Sequence, residues 1–135
     1  PLLIAWSDET GRTSVQVAGV RERRERAPAH FDAVFDEMDS LSRQGADLLR
    51  AGDWCELGGL MNLCHGLLNA IGVSTPTLER MVTLARHAGA AGAKLTGAGG
   101  GGSIVAMCPD GIDAVEKALR QGGYQTLVPG KWDSK

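Results

Sequence analysis

The spacing of hydrophobic residues along this chain predicts a strand followed by four helices. A short apolar run, "LLIAW", comes directly before the turn-forming letters "SDETG" and is typical of a buried strand. In the next part of the chain, apolar residues recur three and four positions apart, which is the period of an amphipathic helix. We expect helices within the stretches 13–27, 29–51, 53–71 and 74–88.

Residues at the ends of these stretches predict where the helices begin and end. Thr13 or Ser14 would cap the first helix, which Pro28 would end. Asp53 is followed three positions later by Glu56, which resembles a capping box. Serine and threonine before a proline suit the start of the fourth helix. Glycines would end the last three helices, at positions 52, 72 and 89.

The last third of the chain changes to extended segments. The segments "AKLTG" and "SIVAMC" predict two strands on either side of a glycine run, "PDGIDAVEKALRQGG" predicts a helix capped by Asp110, and "YQTLV" predicts a final strand. Without the additional helices, the order is βα–ββα–β. We therefore expect an α+β fold: a two-layer sandwich in which helices cover one face of a four-stranded, mostly antiparallel sheet.

Composition and charge narrow the functional classes. The chain has 135 residues and a formal net charge of −2, so it suits one domain and lacks the excess of Lys and Arg typical of nucleic-acid binders. No apolar run approaches the ~18 residues of a membrane span. Three cysteines without C-x-x-C spacing favour reduced thiols in a cytoplasm. The apolar start "PLLIAW" suggests a fragment of a longer protein.

The stretch "GAKLTGAGGGGSIVAM" contains the letters of a nucleotide-binding fingerprint in the wrong context. Gly97, Gly99 and Gly102 satisfy G-x-G-x-x-G, but that motif opens a helix, whereas an apolar, β-branched segment follows here. A Walker phosphate loop would need Lys and then Ser or Thr after its last glycine, and Gly102 is followed by Ser103 and Ile104.

The run also has more glycines than a hairpin needs, which leaves two interpretations. Without Cβ atoms, the loop could pack closely against other backbone inside the domain. Alternatively, it could approach a ligand, because consecutive amides in turn conformations form an anion-binding concavity. We favour a phosphate or substrate nearby.

Four segments carry a resemblance to a known family. "KLTGAGGGG", "TSVQVAGVRER", "LGGLMNLCHGLLNAIGVSTPTLERMV" and "ARHAGAAGAKLTG" resemble, in order and spacing, the carboxy-terminal half of GHMP kinases, and among these the mevalonate kinases. The similarity extends over nearly the whole chain. It implies that residues 1–135 are a GHMP kinase C-terminal domain, ferredoxin-like with inserted helices, without the catalytic N-terminal lobe.

The resemblance also implies an activity for the whole protein. It implies a cytoplasmic phosphotransferase that uses ATP and Mg²⁺ to phosphorylate mevalonate to 5-phosphomevalonate in isoprenoid biosynthesis. ATP and Mg²⁺ would be bound mainly by the N-terminal lobe, so that this lobe alone would be inactive. The partners implied are that lobe and, as is common in the family, a second copy in a homodimer. Two alternatives stay open: another GHMP kinase acting on phosphomevalonate or a sugar, and a non-catalytic ferredoxin-like ligand-binding module.

The resemblance places part of the substrate site in this chain but no catalytic residue and no metal ligand. The residues that it places near the substrate are Thr13, Thr96 and Ala98. Those that it places beside the phosphate loop of the other lobe are Gly97, Gly99, Gly100, Gly101 and Gly102. Thr13 could equally be a helix cap, and Thr96 could simply satisfy the end of a strand.

Three further polar residues have plainer interpretations. Asn62 and His65 lie beside an apolar helix stripe, so we expect hydrogen-bonded structural roles for them. Lys94 is interpreted as a solvated cation on its strand.

Overall fold

The sheet has the predicted four strands, and every neighbouring pair is antiparallel. The computed structural model describes residues 1–130, so positions 131–135 of the predicted domain lie outside the described residues. The strands are β1 (Leu2–Trp6), β2 (Gly92–Thr96), β3 (Ser103–Met107) and β4 (Gln125–Leu127). Their order across the sheet is β2-β3-β1-β4. This is the ferredoxin-like arrangement, with β2 and β4 at the edges.

Within residues 1–130, five helices complete the α+β fold, four of them between β1 and β2. They are α1 (Thr13–Arg26), α2 (Pro28–Ala51), α3 (Trp54–Ala70), α4 (Pro76–His87) and α5 (Asp113–Gln121). The predicted order of elements is confirmed. None of the helices in the described residues is both long and apolar enough to cross a membrane.

One face of the sheet forms the core together with α4 and α5. Alternate strand residues point to this face because side chains in a strand have a period of two. The fully buried members are Leu3, Ala5, Ala93, Leu95, Ile104 and Ala106 from the sheet, and Leu78, Met81, Val82, Ala85, Val115 and Leu119 from the two helices. The alternating pattern in β1 and β3 thus fixes which face of the sheet is covered.

Two of the predicted helix caps are present and two are not. Asp53 accepts the amide proton of Glu56, and Thr75 accepts that of Leu78, both at 3.2 Å. By contrast, Thr13 is the first residue of α1 itself, and no side chain caps that helix. The predicted cap at Asp110 is also wrong.

The start of α5 is displaced by a glycine turn. Gly111 has a φ of 129° and its amide donates to Cys108, so the chain is still turning after Asp110. The helix begins only at Asp113, without a side-chain cap. Pro28 does not simply end a helix either, because it occupies the first turn of α2.

Helix α3 covers the free edge of β2. The side chain of Asn62 accepts from the amide of Ala93 at 3.0 Å and donates to the carbonyl of Ala91 at 3.1 Å. The Nδ1 atom of His65 accepts from the amide of Leu95 at 3.1 Å. These bonds satisfy backbone groups that an edge strand would otherwise leave unpaired. The structural roles expected for Asn62 and His65 are confirmed.

Lys94 differs from its interpretation as a solvated cation. Its side chain is half-buried and its Nζ atom donates to the carbonyl of Leu95 at 2.8 Å. Arg86 donates in the same way to the carbonyl of Ala93 at 2.9 Å. Cationic side chains therefore satisfy carbonyl groups along the same edge.

Candidate functional site

A groove of about 350 Å³ lies between the end of β1 and the glycine loop, which we define as residues 97–102. Its opposite wall is the β1–α1 segment, residues 7–12. The predicted site residues that line the groove are Thr13, Thr96, Ala98, Gly99, Gly101 and Gly102. Gly97 and Gly100 do not line it. The structure thus brings together six of the eight residues singled out from the sequence.

The backbone of the glycine loop explains why its sequence is so rich in glycine. All five glycines of the loop have positive φ: 80° at Gly97, 80° at Gly99, 76° at Gly100, 141° at Gly101 and 94° at Gly102. Other residues adopt such conformations only with strain. A simple hairpin turn needs one or two such positions, so this loop follows a more contorted path than a hairpin requires.

Close packing inside the domain accounts for two of these glycines. A Cβ on Gly99 would overlap the backbone of Val73, and one on Gly101 would lie 3.1 Å from the carbonyl oxygen of Glu9. At Gly97 and Gly102, by contrast, a Cβ would meet no atom within 4 Å. The close-packing interpretation therefore applies to Gly99 and Gly101, whereas the approach of a ligand to the loop stays a prediction.

Two backbone hydrogen bonds anchor the loop. The amide of Gly100 donates to the carbonyl of Val73 at 2.8 Å, and the amide of Ser7 donates to the carbonyl of Gly102 at 3.2 Å. Within residues 1–130, the amides of Ala98 and Gly101 have no protein acceptor. These free donors belong to residues that line the groove, where an anion could accept from them.

The two threonines of the groove that the sequence singled out, Thr13 and Thr96, are both exposed. Thr13 opens α1, and Thr96 ends β2, where it pairs with Ser103. Neither hydroxyl has a hydrogen-bond partner among the described residues. The helix-cap interpretation of Thr13 is thereby removed, and both hydroxyls are free to meet a ligand.

Sequence reasoning missed the opposite wall of the groove. Trp6, Glu9 and Gly11 line it, and a Cβ on Gly11 would overlap the backbone of Gly99. A usable signal was present in "SDETG", because a β1 strand that pairs with β3 must place the loop after it beside the glycine loop. Glu9 itself accepts from the hydroxyl of Thr77 at 2.6 Å.

A comparison with known protein families identifies the family of this chain. A family model described as "GHMP kinases C terminal" matches residues 46–125, which include the glycine loop. The chain belongs to the GHMP kinase family.

Several relatives of this GHMP kinase chain are mevalonate kinases. It is 48% identical over 120 residues to the mevalonate kinase of Methanothermobacter thermautotrophicus, with 89% of this chain and 40% of the relative covered. The crystal structure of L. major mevalonate kinase in complex with R-mevalonate superposes with a TM-score of 0.85 at 32% identity, covering 96% of this chain and 42% of that one. The Methanococcus jannaschii mevalonate kinase gives a TM-score of 0.76 at 28% identity, covering 93% of this chain and 38% of that one.

These coverages have a direct consequence for this GHMP kinase chain. It spans about 40% of the length of the curated relatives that it matches.

The groove of this GHMP kinase domain does not suit a divalent metal ion. Mg²⁺ prefers an octahedral shell of oxygen ligands, usually with one or two carboxylates. In residues 1–130 no group of three or more His, Cys, Asp or Glu side chains could hold a metal ion. The carboxylate that lines the groove, Glu9, is already engaged by Thr77. The residues present therefore do not fit Mg²⁺.

Behind the glycine loop lies a second, apolar hollow of about 220 Å³. Ala98 separates it from the groove, and Val17, Val20 and Val73 line it. The adjoining helix α1 exposes two apolar side chains, with Val15 56% and Val17 53% exposed. No residue of α1 is buried. The helix that begins at the groove therefore presents apolar side chains to solvent at its N-terminal end.

Proposed function

We propose that residues 1–135 are the C-terminal domain of a kinase that transfers the γ-phosphoryl group of ATP to the 5-hydroxyl of mevalonate. The single observation that carries this proposal is the open groove at the glycine loop, with its free amides and hydroxyls. It lies in a chain whose relatives include mevalonate kinases. The product would be 5-phosphomevalonate, an intermediate of isoprenoid biosynthesis.

The groove residues have distinct roles in this proposal. Phosphoryl transfer depends mainly on positioning and on stabilising charge at the transferred group. The free amides of Ala98 and Gly101 can donate to phosphoryl oxygens without a side chain in the way. The hydroxyls of Thr13 and Thr96 can donate to the polar groups of the acceptor substrate. None of these groups is a general base, in keeping with a domain that contributes no catalytic side chain.

The proposal requires a second lobe. Mg²⁺ lacks ligands among the described residues, so that lobe would bind the metal and most of the ATP. The exposed valines of α1 beside the groove would be covered by it. The C-terminal domain alone is then expected to be inactive. A cytoplasmic location is part of the proposal, in keeping with three free cysteines, as is the homodimer that is common in the family.

An assay of the two-lobe protein tests the substrate. The protein is purified with the lobe that precedes this chain, and ADP release is measured with mevalonate, phosphomevalonate, galactose and homoserine in turn. We expect turnover with mevalonate and little with the others. Turnover with a different acceptor alone would replace mevalonate within the family. Binding of a ligand without any ATP turnover would instead favour a non-catalytic module.

A further inference from the structure

His65 is buried and uses both of its ring nitrogens. Its side chain is 3% exposed. Nδ1 accepts from the amide of Leu95 at 3.1 Å, and Nε2 lies 2.8 Å from a carboxylate oxygen of Glu79. Because Nδ1 must accept, the hydrogen-bond partners assign the single proton to Nε2, which donates to Glu79. The imidazole is therefore neutral and fixed between β2 and α4.

Glu79 extends this connection to the segment between α3 and α4. The same carboxylate oxygen accepts from the hydroxyl of Ser74 at 2.5 Å. Ser74 directly follows Val73, whose carbonyl accepts from the amide of Gly100 in the glycine loop. The hydrogen bonds from His65 to Glu79 and from Ser74 to Glu79, the peptide link from Ser74 to Val73, and the bond from Gly100 to Val73 thus connect the buried imidazole to the centre of the loop.

The other nitrogen of His65 leads to the start of the same loop. Leu95, whose amide it holds, precedes Thr96, and Thr96 lines the groove and adjoins Gly97. The His65–Glu79 pair therefore fixes two points that border the loop. One is the end of β2, and the other is the Val73 carbonyl.

We infer that His65 and Glu79 are positioning residues for the glycine loop, holding the end of β2 and the Val73 carbonyl at the spacing that the groove requires. This inference rests on the proposed function and assigns to that function two residues that do not touch the groove. The loop must hold its amides in place because misplacement by about 1 Å can lower a rate by orders of magnitude.

The charged groups around His65 favour its neutral form. Glu79 and Arg86 face it from α4, and Lys94 faces it from β2. Burial lowers the pKa of His65, Glu79 opposes that shift, and the two cations add to it. Partial burial alone would raise the pKa of Glu79, but hydrogen bonds from Ser74 and Asn69 and the neighbouring imidazole bring it below its usual value. His65 thus stays a neutral hydrogen-bond donor, and Glu79 stays its ionised acceptor.

Substitutions of Glu79, compared with one of Asn62, separate positioning from plain structural support. Asn62 lies on the same helix as His65 and holds the same edge strand, but it has no bond to Glu79 or Ser74. Glu79→Gln keeps an oxygen that can accept from both partners, whereas Glu79→Ala removes it. Each variant is made in the two-lobe protein, and thermal stability, kcat and KM for mevalonate, and amide hydrogen exchange are measured.

The expected results are specific to the loop. Glu79→Ala lowers kcat about tenfold with a smaller change in KM, the signature of lost positioning in the transition state, and Glu79→Gln restores kcat to within about threefold. In Glu79→Ala the amide of Gly100 exchanges about tenfold faster, while the core amide of Ile104 is unaffected. Asn62→Ala loses stability but keeps kcat and the protection of Gly100.

Two results would overturn the inference. One is an equal loss of kcat in Asn62→Ala and Glu79→Ala after allowance for stability. The other is unchanged exchange of the Gly100 amide in Glu79→Ala. If the wild-type protein does not phosphorylate mevalonate, the proposed function fails, but the exchange of Gly100 relative to Ile104 still decides whether the pair holds the loop.

Discussion

Gly58 of α3 and Gly92 of β2 lie backbone against backbone. A Cβ on Gly58 would lie 2.7 Å from the carbonyl carbon of Ala91 and 2.8 Å from the amide nitrogen of Gly92. This close approach lets the short side chain of Asn62 and the ring of His65 reach amides at the edge of β2. The sheet edge that leads into the glycine loop therefore depends on two glycines remote from the groove.

Gly58→Ala is expected to destabilise the fold, whereas Gly66→Ala on the same helix is not. The first adds a methyl group against backbone that cannot move aside, at a cost of about 2 kcal/mol. At Gly66 a Cβ would meet nothing within 4 Å. Alanine there favours the helix by about 0.5–1 kcal/mol. Urea unfolding of both variants measures the difference, and equal stabilities would contradict the close packing.

Substitution of Gly100 is expected to affect activity more than folding. A Cβ at Gly100 would overlap the end of the Gln16 side chain, which can move, and the positive φ costs about 1–2 kcal/mol. Gly100→Val would therefore fold but displace the loop, and turnover by the two-lobe protein should fall at least about tenfold. Steady-state kinetics measure this.

Gly123→Val is the matched control for the strain alone. Gly123 has a φ of 90°, has open space around it and does not line the groove. The Gly123→Val protein should lose about as much stability as Gly100→Val and keep its turnover. Normal kinetics in a correctly folded Gly100→Val protein would exclude a role for the loop in the reaction.

Stability is expected to fall in mild acid because of His65. Its pKa is lowered in the folded protein from 6.5, mainly by burial, so the unfolded chain binds the proton more readily. The stability that the neutral His65 contributes is complete above pH 6.5, the pKa of the group in the unfolded chain. It is lost as the pH falls from there towards the lower pKa of the folded protein. Protonation of Nδ1 would also break its bond with Leu95.

Urea unfolding between about pH 8 and pH 5 measures this contribution, in a range around the ordinary histidine pKa. We expect the wild-type free energy of unfolding to decline more steeply than that of His65→Gln. His87→Gln is the control, since His87 is exposed on α4 and bonds only to a backbone carbonyl of its own helix. Parallel curves for the wild type and His65→Gln would show that the imidazole does not titrate differently on folding.

The architecture was predictable from sequence because its signals are local. Hydrophobic periodicity located helices such as α2, α4 and α5, and caps such as Asp53 form within a single turn. The predicted caps at Thr13 and Asp110 failed because their helices begin where the preceding turn ends. Gly111 sets that point for α5, and a capping residue type nearby does not decide it.

The site was only half predictable because its geometry is set by contacts distant in sequence. The glycine run was visible in the sequence, but Val73, whose backbone packs against Gly99, precedes it by more than twenty positions. The contact of Gly101 with Glu9 and the bond from Thr77 to Glu9 likewise join residues that lie far apart in the sequence. No local pattern in a single sequence records such pairings.

The exposed valines of α1 are expected to pack against the second lobe. Val17 is 53% exposed next to the groove and lines the apolar hollow behind the glycine loop, so a charge there would be desolvated when the lobe closes over it. Val17→Asp should lower kcat/KM for mevalonate by at least about tenfold with little loss of stability in this domain. Leu63→Asp is the control, because Leu63 is 59% exposed on α3 and lines neither cavity. If both substitutions lower kcat/KM equally, the α1 face has no special relation to the other lobe. If only Val17→Asp does so, the lobe that completes the groove rests on the helix that Thr13 begins.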